Sequence, residues 1–159
     1  TVRRIFETNL FGSLGMIRAV LPQMRARREG VIVNISSSVT LQPLPLFPVY
    51  TASKAALNAY TECLALELAP LGIRTRLVLP GQAPSTQFSR SAMAMMAKAN
   101  NTPDDYAPFV NEVMSAFGAS TNKEVTHPGD VAQAVWRAGT DLDCPLRLAA
   151  GADALVLAA

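Results

Sequence analysis

Tyr50 and Lys54 stand four residues apart in PVYTASKAAL, residues 48 to 57, a stretch otherwise made mostly of small side chains. On a helix that spacing puts both side chains on one face. A free tyrosine, with a pKa near 10, is a poor proton donor or acceptor at neutral pH. A nearby ammonium favours the phenolate, and each unit of depression corresponds to about 1.4 kcal/mol. A shift of about two or three units would make the hydroxyl useful for general acid-base work, so the lysine is a plausible tuner. Ser37 lies thirteen residues before Tyr50, in the SSS run that follows VIVNI. A hydroxyl there can hydrogen-bond a carbonyl oxygen and hold it for protonation by Tyr50. Asn9 falls inside a helical pattern where asparagine has poor propensity, which points to a hydrogen-bonding role.

The elements that must position these groups follow from periodicity. Val2, Ile5, Phe6, Leu10, Leu14, Ile17, Leu21 and Met24 approach the 3.6-residue repeat, so one long helix is expected over 1–27, ended by Gly30. VIVNI, residues 31–35, reads as a strand buried on both faces. A second helix is expected from about Val49 to Ala69, stopped by Pro70 and Gly72. IRTRLVLP, residues 73–80, reads as a second strand closed by Pro80-Gly81. Helical patterns follow at 91–99, 103–117 and 128–140, with Thr126 or Pro128 near the start of the last. Residues 145–148 could form a final short strand. Strands alternating with helices predict an α/β fold with a parallel sheet.

In such sheets ligands bind outside the carboxyl ends of the strands. Ser37 and Pro80-Gly81 end neighbouring strands at one edge of the sheet, and the loop there lacks bulk at Gly81 and Ala83. His127, the only histidine, is expected to cap a helix or face solvent, and Trp136 to lie in the core.

Composition narrows the classes. Half of the 159 residues are apolar, 16% are charged and the formal charge is +2, as for a folded domain with a core. Arg3, Arg4, Arg18, Arg25, Arg27 and Arg28 spread over more than one helix face, so no nucleic-acid partner is expected. No apolar run reaches the roughly 20 residues of a membrane span. Cys63 and Cys144 lack metal spacing; no metal site is expected, and two free thiols suit a cytoplasmic location.

Taken together, ETNLFGSL, NISSS, YTASK and LVLPG resemble the classical short-chain dehydrogenase/reductase family. The resemblance covers nearly the whole chain, most specifically Asn9 to Gly81. It implies an NAD(P)-dependent oxidoreductase interconverting an alcohol and a carbonyl by hydride transfer. Asn9, Ser37, Tyr50 and Lys54 match the family's catalytic tetrad; of the three serines, only Ser37 has the required spacing. The implied roles are a proton passed by Tyr50, an oxygen polarised by Ser37, a nicotinamide ribose held by Lys54, and a relay water held by Asn9. Pro80 and Gly81 match the motif beside the nicotinamide. Ala83 sits where a β-branched residue is common. Ser85 occupies the usual threonine position and Thr86 follows, so either hydroxyl could contact cofactor. Residues 82–118 fall where the family places its substrate lid. Met93, Met95, Met96, Met114, Phe109 and Phe117 are available there for a small hydrophobic carbonyl or alcohol. Asn100 to Pro103 is a hinge candidate.

The family's glycine-rich turn and its residue choosing NAD or NADP have no match here; Gly12 and Gly15 lie within the first helix. The expectation is therefore a single domain over 1–159, the C-terminal half of a Rossmann-like doubly wound parallel sheet with a helical lid. A homodimer or homotetramer is implied through the asparagine and tyrosine helices. Two other readings remain: an extended-branch sugar-nucleotide epimerase or dehydratase, which shares Tyr-x-x-x-Lys, and a truncated, inactive remnant serving as an oligomerisation module. The YTASKAALNAYTECLALEL helix suits the classical branch better.

Overall fold

The structure, a computed structural model, describes residues 2–88, 90–91, 102–119 and 125–159. Three parallel strands, β1 (Gly30–Ile35), β2 (Ile73–Pro80) and β3 (Arg147–Ala150), pair in the order β1-β2-β3. Parallel strands need helical crossovers. α3 (Pro48–Leu68) joins β1 to β2, and α5 (Pro128–Thr140) precedes β3. α4 (Ala107–Ala119) lies between β2 and α5, and α6 (Ala152–Ala158) follows β3. The architecture is an α/β sandwich of the Rossmann-like kind, as the alternation of patterns predicts.

The first helical segment differs from expectation. It is α1 (Val2–Phe6), a π-helical turn over Glu7–Phe11, and α2 (Gly12–Arg27). π turns inside helices are rare and recur at functional sites; this one carries Asn9. Gly30 does not end α2. Arg28 does, in the left-handed conformation at φ 54°, and its guanidinium donates to the Pro70 carbonyl. Gly30 instead opens β1, where any Cβ would run into the Met24 side chain.

Each sheet face has its own core. On one, Ile32 and Ile73 bury against Ile17, Leu64 and Leu68. On the other, Val78 and Ala150 bury against Ala134, Ala138 and Cys144. β1 is less enclosed than its sequence suggests: Ile35 is exposed at the tip. Trp136 is not core either. It is 73% exposed, because α5 approaches the sheet through Ala134 and Ala138, whose small side chains allow close contact. His127 is exposed at the start of α5, where its backbone N–H donates to Asp130 Oδ2.

Candidate active site

The candidate site sits at the carboxyl ends of β1 and β2, where α3 begins. Pro48 occupies the first turn of α3, a position where a missing N–H costs nothing. Just before it, Leu46 holds φ at 68°. For leucine that conformation stores about 1–3 kcal/mol of strain, carried in the loop that delivers Tyr50.

Ser37, Tyr50 and Lys54 converge there. The Ser37 hydroxyl hydrogen-bonds the Tyr50 side chain. It also accepts from the Val39 amide at 3.3 Å. Lys54 Nζ donates to the Ile35 carbonyl at the tip of β1, 2.9 Å away, and lies 6.0 Å from the centre of the Tyr50 ring. Of the three adjacent serines, Ser37 faces the tyrosine, whereas Ser36 and Ser38 are buried. Asn9 joins less directly: its Nδ2 donates to Ser53 Oγ at 3.0 Å, and Ser53 donates to the Tyr50 carbonyl at 2.7 Å. Asn9 therefore braces the helical turn between Tyr50 and Lys54.

The electrostatics differ from the sequence argument. Burial is the largest influence on Tyr50 and pushes its hydroxyl above the usual value of 10.0, while the Ser37 hydrogen bond pulls it down. Lys54 is not among the influences. Its own ammonium is destabilised by burial, which lowers its pKa from 10.5. The predicted lysine-driven depression is thus absent: the ammonium points to the Ile35 carbonyl, and withdrawal from water costs both charged forms.

A polar ladder supports this cluster, and the sequence reading missed it. From the sheet's middle upward, Asn34 Nδ2 donates to Thr61 Oγ1 at 2.8 Å, and Ser36 Oγ donates to Asn58 Oδ1 at 2.5 Å. Asn58 Nδ2 then donates to Thr40 Oγ1, which donates to the Ser37 carbonyl. The available signal was polar residues two apart on the strand matched by 54, 58 and 61 on the helix.

At the tip of β2, Pro80 and Gly81 are half-buried, and the Gly81 amide donates to Thr126 Oγ1 at 3.0 Å. Ala83 is half-buried and accepts at its carbonyl from the Thr86 hydroxyl, 2.8 Å away; Ser85 is exposed. Phe88, 60% exposed, places its ring 5.8 Å from that of Tyr50. Of the expected lid side chains, Phe109 is exposed and Met114 half-buried on α4. Met93, Met95, Met96, Asn100, Asn101 and the Phe117 side chain lie outside the described residues. Among the described residues, no three His, Cys, Asp or Glu side chains gather as a metal site, and Cys63 and Cys144 are free thiols. Nor is any described helix long and apolar enough to cross a membrane.

Comparison with known proteins identifies the family. The family model for short chain dehydrogenases matches residues 1–97. The chain is 36% identical over 134 residues to the vibriobactin-specific 2,3-dihydro-2,3-dihydroxybenzoate dehydrogenase of Vibrio cholerae, covering 84% of this chain and 48% of that protein. It is 33% identical over 156 residues to human retinol dehydrogenase 8, covering 92% and 48% respectively. Among solved structures, a short chain dehydrogenase from Burkholderia cenocepacia in complex with NADP superposes with a TM-score of 0.71 at 27% identity, covering 99% of this chain and 53% of that one. NAD+-bound xylitol dehydrogenase gives 0.73 at 25% identity, covering 94% and 58%. The chain belongs to the short-chain dehydrogenase/reductase family of oxidoreductases. It spans about half the length of the curated relatives it matches.

Proposed function

We propose that the protein carrying this chain interconverts an alcohol and a carbonyl, with Tyr50 as the proton donor and acceptor. The observation that carries this reading is the meeting of Ser37, Tyr50 and Lys54 at one sheet edge. The residues present fit a nicotinamide dinucleotide, NAD or NADP. Lys54 spends one of its three donors on Ile35, so its ammonium can also reach a ribose hydroxyl. Pro80 and Gly81, with Ala83, Ser85 and Thr86 beyond them, would border the nicotinamide at the strand tips. When bound, that cofactor supplies the hydride chemistry.

The rest falls to this chain. Tyr50 stays protonated at neutral pH and can donate to a developing alkoxide. Ser37 holds the same oxygen by donating its own hydroxyl. Asn9, through Ser53, fixes the turn that sets the Tyr50–Lys54 separation. Phe88 beside Tyr50 favours a small, mainly hydrophobic substrate. Phe11, Met16 and Val20, exposed on and beside α2, together with Leu66 on α3, favour a homodimer or homotetramer.

Tyr50→Phe tests this. Carbonyl reduction should fall by at least about 100-fold with cofactor affinity retained, since general acid catalysis contributes about 10²–10⁴. Unchanged turnover would overturn the assignment.

A further inference from the structure

The turn after β2 is held by a residue that sequence and family resemblance both passed over. Asp153, on α6, points its carboxylate back under the tip of β2. Its Oδ2 accepts the Gln82 backbone N–H at 2.6 Å, and its Oδ1 accepts the Thr126 hydroxyl at 2.6 Å. Thr126 is fully buried. Its amide donates to the Gln82 carbonyl at 2.9 Å, and its Oγ1 accepts the Gly81 N–H at 3.0 Å. Both backbone polar groups of Gln82 and the amide of Gly81 are thus tied to this one pair.

Two glycines make room for it. A Cβ on Gly81 would collide with the Asp153 carboxylate. Gly151 holds φ at 97°, and a Cβ there would collide with Thr126. Gly151 is required by its own backbone as well as by Thr126, whereas Gly81 is required by the Asp153 carboxylate beside it. Three segments distant in sequence meet at this point: the β2 tip, the entry to α5, and the exit from β3.

We propose that Asp153 is a positioning residue that sets the Pro80-Gly81-Gln82 turn at the height required by the nicotinamide cofactor. This rests on the function proposed above. It adds a device outside the tetrad: a carboxylate acting from behind the loop, through the backbone, on the surface the ligand meets.

The chemistry distinguishes substitutions. In Asp153→Asn, the side-chain amide could still accept the Gln82 N–H at its oxygen and donate from its nitrogen to the Thr126 oxygen. The Thr126 hydroxyl could then donate wholly to the Ala150 carbonyl, already 3.0 Å away. Alanine would leave the Gln82 N–H without its acceptor and the Thr126 hydroxyl without its carboxylate, so that the loop keeps only its Thr126 and Ala150 bonds.

The test uses the protein carrying this chain, with NADH and NADPH titrated by fluorescence, steady-state kinetics and thermal unfolding. Asp153→Ala should raise the dissociation constant of the preferred nucleotide about tenfold, the scale of one charge-assisted hydrogen bond, and raise its KM more than it lowers kcat. Asp153→Asn should stay within about threefold of wild type. Should Asp153→Ala not fold, Thr126→Val against Thr126→Ser reads the same bridge: valine weakens nucleotide binding and serine restores it. A lowered melting temperature with unchanged nucleotide affinity would overturn the proposal, as would an asparagine variant no better than alanine. The two readings separate cleanly. Loss of turnover in Tyr50→Phe with no effect of Asp153→Ala sinks the positioning role alone. Retained turnover in Tyr50→Phe with weakened binding in Asp153→Ala sinks the tyrosine assignment alone.

Discussion

The two faces of the sheet are held by different means. Beneath α5, the packed contact is apolar, made by Val78, Ala134, Ala138, Cys144 and Ala150, and side-chain hydrogen bonds tie its two ends: Arg74 donates to the Gly139 and Asp141 carbonyls, and Thr126 accepts from Gly81. Beneath α3, contact is graded along the strand. Ile32 meets Leu64 and Leu68 at the bottom, Asn34 meets Thr61 in the middle, and Ser36 meets Asn58 near the top. Above these rungs, Lys54 is tied to Ile35 and Tyr50 to Ser37. An apolar contact tolerates a small slide; a ladder of buried hydrogen bonds does not, because each misplaced rung leaves an unpaired polar group costing about 1–3 kcal/mol. The face that carries Tyr50 and Lys54 is the face whose register is pinned rung by rung along the strand.

Breaking the pinned face should give the largest effect. Asn58→Leu leaves the Ser36 hydroxyl buried without its acceptor and removes the donor that orders Thr40 beneath Ser37. Stability should drop by about 1–3 kcal/mol. Turnover should also fall about tenfold or more, because small misplacements of reacting groups cost rate. Urea denaturation and kcat, measured on the same preparation, check both. Full kcat in a destabilised variant would show that the ladder is only structural.

The opposite face supplies the contrast. Ala138 is 0% exposed, so Ala138→Leu forces extra methylene groups into a filled space and should cost about 1–3 kcal/mol. The loss resembles that of Asn58→Leu, but kcat at a permissive temperature should be unchanged. A fall in kcat equal to that of Asn58→Leu would erase the distinction between the faces.

Legibility in the sequence follows the same division. β2 and α5 carry local signals, a strand closed by proline and glycine and an apolar period opened by Pro128, and both are found where those signals put them. The Tyr50, Lys54 and Ser37 cluster was legible because its logic is local: one helical turn and one strand tip. The π turn around Asn9 was not, since one extra residue in a single turn barely disturbs a 27-residue period. Trp136 is exposed because α5 needs small residues, Ala134 and Ala138, to reach the sheet, a demand that no local pattern reveals. α6 was missed because ALVLAA has no period to read. Asp153 could not be foreseen: its partner Gln82 is 71 positions away, and no local pattern joins them.

The smallest expected effect sharpens what the pinned face does to its tyrosine. Burial raises the Tyr50 pKa and the Ser37 hydrogen bond partly offsets it, so Ser37→Ala should raise it further. Folded protein holds the Tyr50 proton more tightly than the unfolded chain, so its contribution to stability is complete below pH 10.0 and is lost as pH climbs through the raised value. Lys54 behaves oppositely: with a pKa lowered from 10.5, its contribution is present above that value and lost as pH falls through the lowered one. Phenolate absorbance, taken as the difference between each protein and its Tyr50→Phe counterpart, isolates the tyrosine. Wild type should ionise above pH 10.0, and Ser37→Ala higher still. If Ser37→Ala ionised at lower pH, the serine would be holding the proton on the phenol rather than preparing it to leave, and the division of labour between strand tip and helix would have to be reversed.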